Sequence, residues 1–124
     1  MKNIYIIVIL VIFSCKTAKI NGQQNNISKK AEALYTKAMQ YKFERKNEVA
    51  IDLLKQAISI ETEYLDANLK LAEIYQVSLK DYKKAISIYE HIETFSENNF
   101  LAIYNKSFCY FNESNFTKAE ENIS

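Results

Sequence analysis

The sequence predicts an all-α solenoid of antiparallel helix pairs, with room for about 2.7 repeats of the pair. Three observations carry this. The 124 residues include one glycine (Gly22) and no proline, so the many tight turns of an all-β fold have no residues to make them. From Ser28 onward apolar residues recur at helical spacing. And small and aromatic residues come back in the same register every 34 or 35 positions, the signature of an internal repeat.

Composition narrows the function as well. Sixteen basic and fifteen acidic residues leave a formal net charge of +1, which offers no charge field for nucleic acid. A single glycine excludes the Gly-rich loops that cradle phosphates and dinucleotides. One histidine, His91, and two cysteines, Cys15 and Cys109, are too few for a Cys/His zinc site within one chain. No nucleophile stands at a spacing that would pair it with a base. The expectation is a non-catalytic protein that takes no cofactor, no metal and no small-molecule substrate.

The first element is residues 1–15. Lys2 precedes an uncharged, largely apolar run from Asn3 to Cys15. As a helix those 13 residues would reach only about 20 Å, short of the roughly 30 Å of a bilayer core. A basic start, a short apolar stretch and then small residues form the layout of an export signal. Its end, Val11-Ile12-Phe13-Ser14-Cys15, resembles a bacterial lipobox, with Ile12 and Phe13 in place of the usual Leu and smaller residue. The resemblance implies lipidation at Cys15 and a membrane partner through the lipid; cleavage near Ala18 or Gly22 to a secreted or periplasmic soluble form is the alternative. Several acyl chains on one cysteine anchor a protein stably without a spanning helix. Residues 16–27 (KTAKINGQQNNI) are polar and without periodicity, and read as a flexible linker.

The repeat region follows over 28–124. Ala38, Ala72 and Ser107 form one small-residue series, and Ala50, Ala85 and Ala119 another; Tyr41, Tyr75 and Tyr110 each lie three residues after a member of the first. Helices that cross at 8–10 Å need small side chains at the crossing, with an aromatic to fill the adjoining gap. These nine positions are the expected repeat-packing residues. Helices are expected near 28–44, 47–60, 63–78, 81–94, 98–112 and 115–124, with Asn47, Asp81 and Asn115 as N-caps. The second repeat carries one extra residue near Val77 to Lys80.

This pattern resembles the tetratricopeptide repeat family, over about residues 31 to 124. Residues 31–64 and 65–99 read as full repeats, and 100–124 as a third that stops inside its second helix. The family's usual Trp, turn Gly and inter-repeat Pro are missing. The resemblance implies that the first helix of each repeat lines a concave face. Its candidate groove residues are Tyr35, Met39 and Phe43, then Leu69, Glu73 and Gln76, then Tyr104, Phe108 and Phe111. The family's carboxylate clamp of Lys and Asn would fall at Tyr35 and Met39 and is absent, so the expected ligand is an apolar protein segment.

The unfinished third repeat leaves the stripe Phe116, Ala119, Ile123 without a cap. The expectation is an N-terminal fragment of a longer protein; a dimer covering the same face is the alternative. An export signal followed by such repeats looks like the start of Bacteroidetes envelope lipoproteins that continue into a propeller-like segment and an OmpA-like peptidoglycan-binding domain. A BamD-like outer-membrane assembly lipoprotein, or repeats ahead of an envelope enzyme, are the alternatives. The implied address is the bacterial cell envelope, the outer membrane in preference to the inner, because Lys16 and not Asp follows Cys15.

Overall fold

A computed structural model of the chain describes the backbone of residues 26–123 and the side chains of residues 26–115. The export-signal residues, Cys15 and the linker up to residue 25 lie outside the described residues, as do the side chains of Phe116, Ala119 and Ile123.

Among the described residues five α-helices follow one another: α1 Lys29–Phe43, α2 Asn47–Ile60, α3 Leu65–Glu73, α4 Tyr82–Phe95 and α5 Phe100–Ile123. A π-helical turn, Ile74–Ser78, extends α3. Each helix packs on its neighbours in sequence, α1 on α2, α2 on α3, α3 on α4 and α4 on α5, so the chain is an all-α array of helix pairs with a continuous core. Among the described residues no helix is long and apolar enough to cross a membrane.

The core is built on alanine. Ala31, Ala38, Ala50, Ala57, Ala67, Ala72, Ala85 and Ala102 are fully buried, which permits the close helix approach that the packing needs. Leu54, Ile74, Tyr89 and Ile92 fill the space between. Tyr41 and Tyr75 sit at equivalent places in the first two repeats and each lies under a lysine: Lys46 Nζ is 5.5 Å from the Tyr41 ring centroid and Lys84 Nζ is 5.3 Å from that of Tyr75. Cations in such positions are attracted by the ring quadrupole.

The turns differ from expectation in instructive ways. Arg45 (φ 61°), Lys80 (φ 54°) and Asn98 (φ 59°) take the left-handed conformation that glycine adopts without cost. At the end of α1, Arg45 N–H donates to Lys42 O and Lys46 N–H to Tyr41 O, the paired bonds of a Schellman motif. The extra residue of the second repeat is absorbed within the helix: the π turn lets Leu79 N–H reach back to Ile74 O, after which Lys80 closes the helix in the same left-handed way. Of the expected N-caps, Asp81 accepts from Lys84 N–H at 3.2 Å. Asn47 is instead the first residue of α2, whose cap position is Lys46. Two caps escaped the pattern: Ser28 accepts from Ala31 N–H, and Asn99 Oδ1 from Ala102 N–H. Ile27, assigned to the linker, packs partly buried against the core.

The largest departure is in the third repeat. The expected break at 113–114 is absent, Asn115 caps nothing, and α5 runs unbroken through the two helices foreseen there. A positive φ costs a non-glycine residue roughly 1–2 kcal/mol. The first two repeats offset that cost by burying a second helix between two neighbours. In the third, α5 continues instead, and each residue added to it gains a helical hydrogen bond.

Candidate functional site

The groove is formed by α1, α3 and α5, the first helices of the three repeats, and holds a pocket of about 320 Å³ lined among others by Tyr35, Leu69, Glu73, Gln76, Leu101 and Asn105. Four of the nine groove residues expected from sequence come together there: Tyr35, Leu69, Glu73 and Gln76.

Its chemistry is more polar than the sequence suggested. Glu73 holds two lysines at once, Lys42 on Oε1 at 2.8 Å and Lys70 on Oε2 at 2.7 Å. Burial works against ionisation of this carboxyl, but the hydrogen bonds and charges of Lys42 and Lys70 outweigh it and hold its pKa below the usual carboxylate value. Since Lys42 comes from α1 and Lys70 from α3, the carboxylate joins two repeats. These groups are each about a third exposed, so they remain within reach of a partner.

Beside them runs a neutral network. Tyr89, on α4 and almost fully buried, donates its hydroxyl to Gln76 Oε1 at 2.6 Å, and Gln76 Nε2 donates to Asn105 Oδ1 at 3.2 Å. The network therefore spans α4, the π turn and α5. Burial raises the Tyr89 pKa strongly, with lesser contributions from Cys109 and Glu73, so the phenol stays a donor. Gln76 is the third residue of the π turn.

At the rim, Tyr35 leans on Tyr64 with ring centroids 5.3 Å apart. Met39 is half-buried. Phe43 is 90% exposed and Tyr104 70%; Phe108 and Phe111 are also exposed. Of the expected groove residues, Met39, Phe43, Tyr104, Phe108 and Phe111 do not line the pocket. The sequence placed Glu73 and Gln76 in the groove but not their partners: Lys42, Lys70 and Asn105 carry no repeat signal, and only the stacking of α1, α3 and α5 brings them together.

The repeat-packing positions divide by repeat. Ala38, Ala50, Ala72 and Ala85 are fully buried, Tyr75 is buried and Tyr41 half-buried. Ser107 and Tyr110 are exposed, because the helix expected to cover them continues along α5. Tyr110 instead donates its hydroxyl to Glu90 at 2.9 Å. The backbone at Ala119 lies in α5, and its side chain is outside those described. What buries α5 is its other edge, Ala102 and Cys109, flanked by the pair Lys106–Glu93 at 2.6 Å. Burial raises the Cys109 pKa, with Glu113 adding to it, which keeps the thiol protonated and inert. His91 is exposed and its Nε2 lies 3.2 Å from Thr62 O. No group of three potential metal ligands occurs among the described residues.

The Tetratricopeptide repeat family model matches the chain twice in succession, over residues 31–64 and 65–99. No curated protein matches the chain. Repeats of this family generally mediate protein–protein interaction and are typically non-catalytic. With two matched repeats, the buried alanine crossings and the groove lined by first helices, the chain belongs to the tetratricopeptide repeat family.

Proposed function

We propose that the chain is the binding module of a bacterial envelope lipoprotein and that it docks a protein partner in the groove between α1, α3 and α5. The observation that carries the docking is the groove itself: a polar centre at Glu73, Lys42, Lys70, Gln76 and Asn105, ringed by Tyr35, Leu69 and Leu101. Such a site suits a peptide segment that places a polar group at the centre and apolar side chains on the rim. Aromatic residues are enriched at contacts of this kind. The anchoring half of the reading rests on the lipobox-like end of the N-terminal segment and on the cysteine at 15.

A photo-crosslinking residue at Leu101, in the groove, is expected to give a defined adduct in native cells, and one at Lys55, exposed on α2, none. Equal labelling from both positions would remove the groove from consideration. Cys15→Ala is expected to release the chain from the membrane fraction; unchanged fractionation would overturn the anchor. Under this reading the chain is the N-terminal part of a longer OmpA-like, peptidoglycan-associated protein, with a BamD-like assembly lipoprotein as the second reading. The mass of the native acylated product and any peptidoglycan pull-down separate the two.

A further inference from the structure

The charge of the chain is nearly balanced but not evenly spread. Because the helices run up and down in turn, the α1–α2 and α3–α4 turns lie at one edge of the array and the α2–α3 and α4–α5 turns at the other. The Lys42–Glu73 contact at 2.8 Å fixes the ends of α1 and α3 side by side. At that edge the first turn sets Lys42, Arg45 and Lys46 against Glu44, and the second sets Lys80, Lys83 and Lys84 against Asp81. The opposite edge is acidic. Residues 60–69 hold Glu61, Glu63 and Asp66 and no basic residue, and Glu97 is the only charge in residues 95–99.

The tips of the basic edge carry a second mark. Arg45 and Lys80 hold the left-handed conformation, at φ 61° and 54°, where glycine would sit without strain. Asn98, on the acidic edge, takes the same conformation, but the short polar side chain of asparagine suits it there. Arginine and lysine have no such excuse, and backbone strain of this kind clusters where a side chain is in use. The side chains of Arg45 and Lys80 are exposed and form no hydrogen bond or ion pair among the described residues. Lys46 and Lys83 pair with Glu44 and Glu113, yet their side chains stay 57% and 83% exposed. Two large apolar side chains stand out between these cations, Phe43 at 90% exposed and Leu79 at 47%. Leu79, Lys80 and Lys83 share the wall of one hollow of about 390 Å³ at this edge.

We propose that this edge is a membrane-contact surface, which rests on anionic lipid headgroups through Arg45, Lys46, Lys80 and Lys83 and lets Phe43 and Leu79 enter the acyl boundary between them. The combination selects the occupant. An anionic lipid surface holds clusters of about four to eight Lys and Arg. Phe and Leu at protruding tips bury apolar area in the boundary below the headgroups, which the phosphates of a nucleic acid do not offer. The acidic edge is repelled by the same surface, so the contact has one orientation. The helices stand on end, and the groove between α1, α3 and α5 opens sideways, clear of the lipid. The contact is independent of an acyl chain at Cys15 and of any occupant of the groove.

The test is co-sedimentation of the full 124-residue chain with phosphatidylcholine vesicles and with vesicles that also contain phosphatidylglycerol. The chain carries Cys15→Ala, so that no acyl chain contributes. The apolar residues 3–15 are present in every variant, so differences between variants report the edge. Binding is expected to be about tenfold tighter to the anionic vesicles and to weaken as salt rises. Arg45→Gly with Lys80→Gly removes both tip cations and relieves both turns, so the fold is kept while the anionic preference falls about tenfold. Phe43→Ser with Leu79→Ser, both at exposed positions, is expected to weaken binding to the anionic vesicles several-fold. Lys37→Gln with Lys55→Gln removes the same charge from exposed positions within α1 and α2 and is expected to leave binding unchanged. Equal binding to the two kinds of vesicle, a preference that survives the glycine pair, an apolar pair without effect, or a control pair that costs as much each overturns the proposal. Failure to bind either vesicle also overturns it and leaves the edge to an acidic protein.

Discussion

The hydroxyl of Tyr89 donates to Gln76 Oε1 at 2.6 Å, from the second helix of the second repeat into the π turn that ends the first. Both side chains are buried, so each needs the other. Tyr89→Phe is expected to lower stability by about 1–2 kcal/mol, because the amide oxygen of Gln76 keeps its desolvation cost and loses its donor. Chemical denaturation with an unchanged m-value checks this; a neutral substitution would mean that water replaces the hydroxyl.

Glu73 makes stability depend on acid. Its folded pKa lies below the ordinary carboxylate value, so the folded state binds that proton less readily than the unfolded one. The contribution is present above the unfolded pKa, near 4.3, and is lost as pH falls through the lower folded value. The carboxylate is partly exposed, so the effect is modest. Between pH 5 and 3, on the order of that interval, the thermal midpoint of the wild type is expected to fall more steeply than that of Glu73→Gln. Parallel slopes would show that Lys42 and Lys70 do not hold the carboxylate in solution.

Lys80 occupies a left-handed conformation at φ 54° without being glycine. Lys80→Gly removes a steric cost of roughly 1–2 kcal/mol and adds an entropic one of roughly 0.5–1 kcal/mol. The expected net is a stabilisation of about 0.5–1 kcal/mol, read as a rise of a few degrees in Tm. The reverse test, Lys80→Val, is expected to destabilise, since a β-branched residue tolerates positive φ worst.

Ala72 is fully buried in α3, where that helix packs against its neighbours. Ala72→Leu is expected to overpack it and cost about 1–3 kcal/mol. The equivalent change in the third repeat, Ser107→Leu, enlarges a side chain that is exposed and is expected to be close to neutral in the monomer. Comparing the two by thermal unfolding at low protein concentration checks the register and the openness of α5 together.

The fold was legible because it is repetitive. Small residues at 38, 72 and 50, 85 recur with aromatics at 41 and 75, and each recurrence reports the same local geometry of helix crossing. Even the insertion in the second repeat could be counted, though a count of residues does not say whether they go into a turn or, as here, into a π-helical turn at Ile74–Ser78. Part of the groove was legible for the same reason, since Tyr35, Leu69, Glu73 and Gln76 line its pocket. The lysines on Glu73 were not, because Lys42 and Lys70 stand 31 and 3 residues from it with no motif between them. They meet only because α1 and α3 stack.

By itself, then, the sequence determined which residues could be buried, since helix propensity and apolar period act locally and without a partner. The tertiary structure decided where burial is complete. A helix turns back at Arg45 and Lys80 although neither residue favours it, because the returning helix gains two neighbours to pack against. At Ser114 the local sequence is no less permissive, yet α5 runs on. Whether a strained turn forms is settled by the packing it makes possible, and packing is a property of the assembled helices.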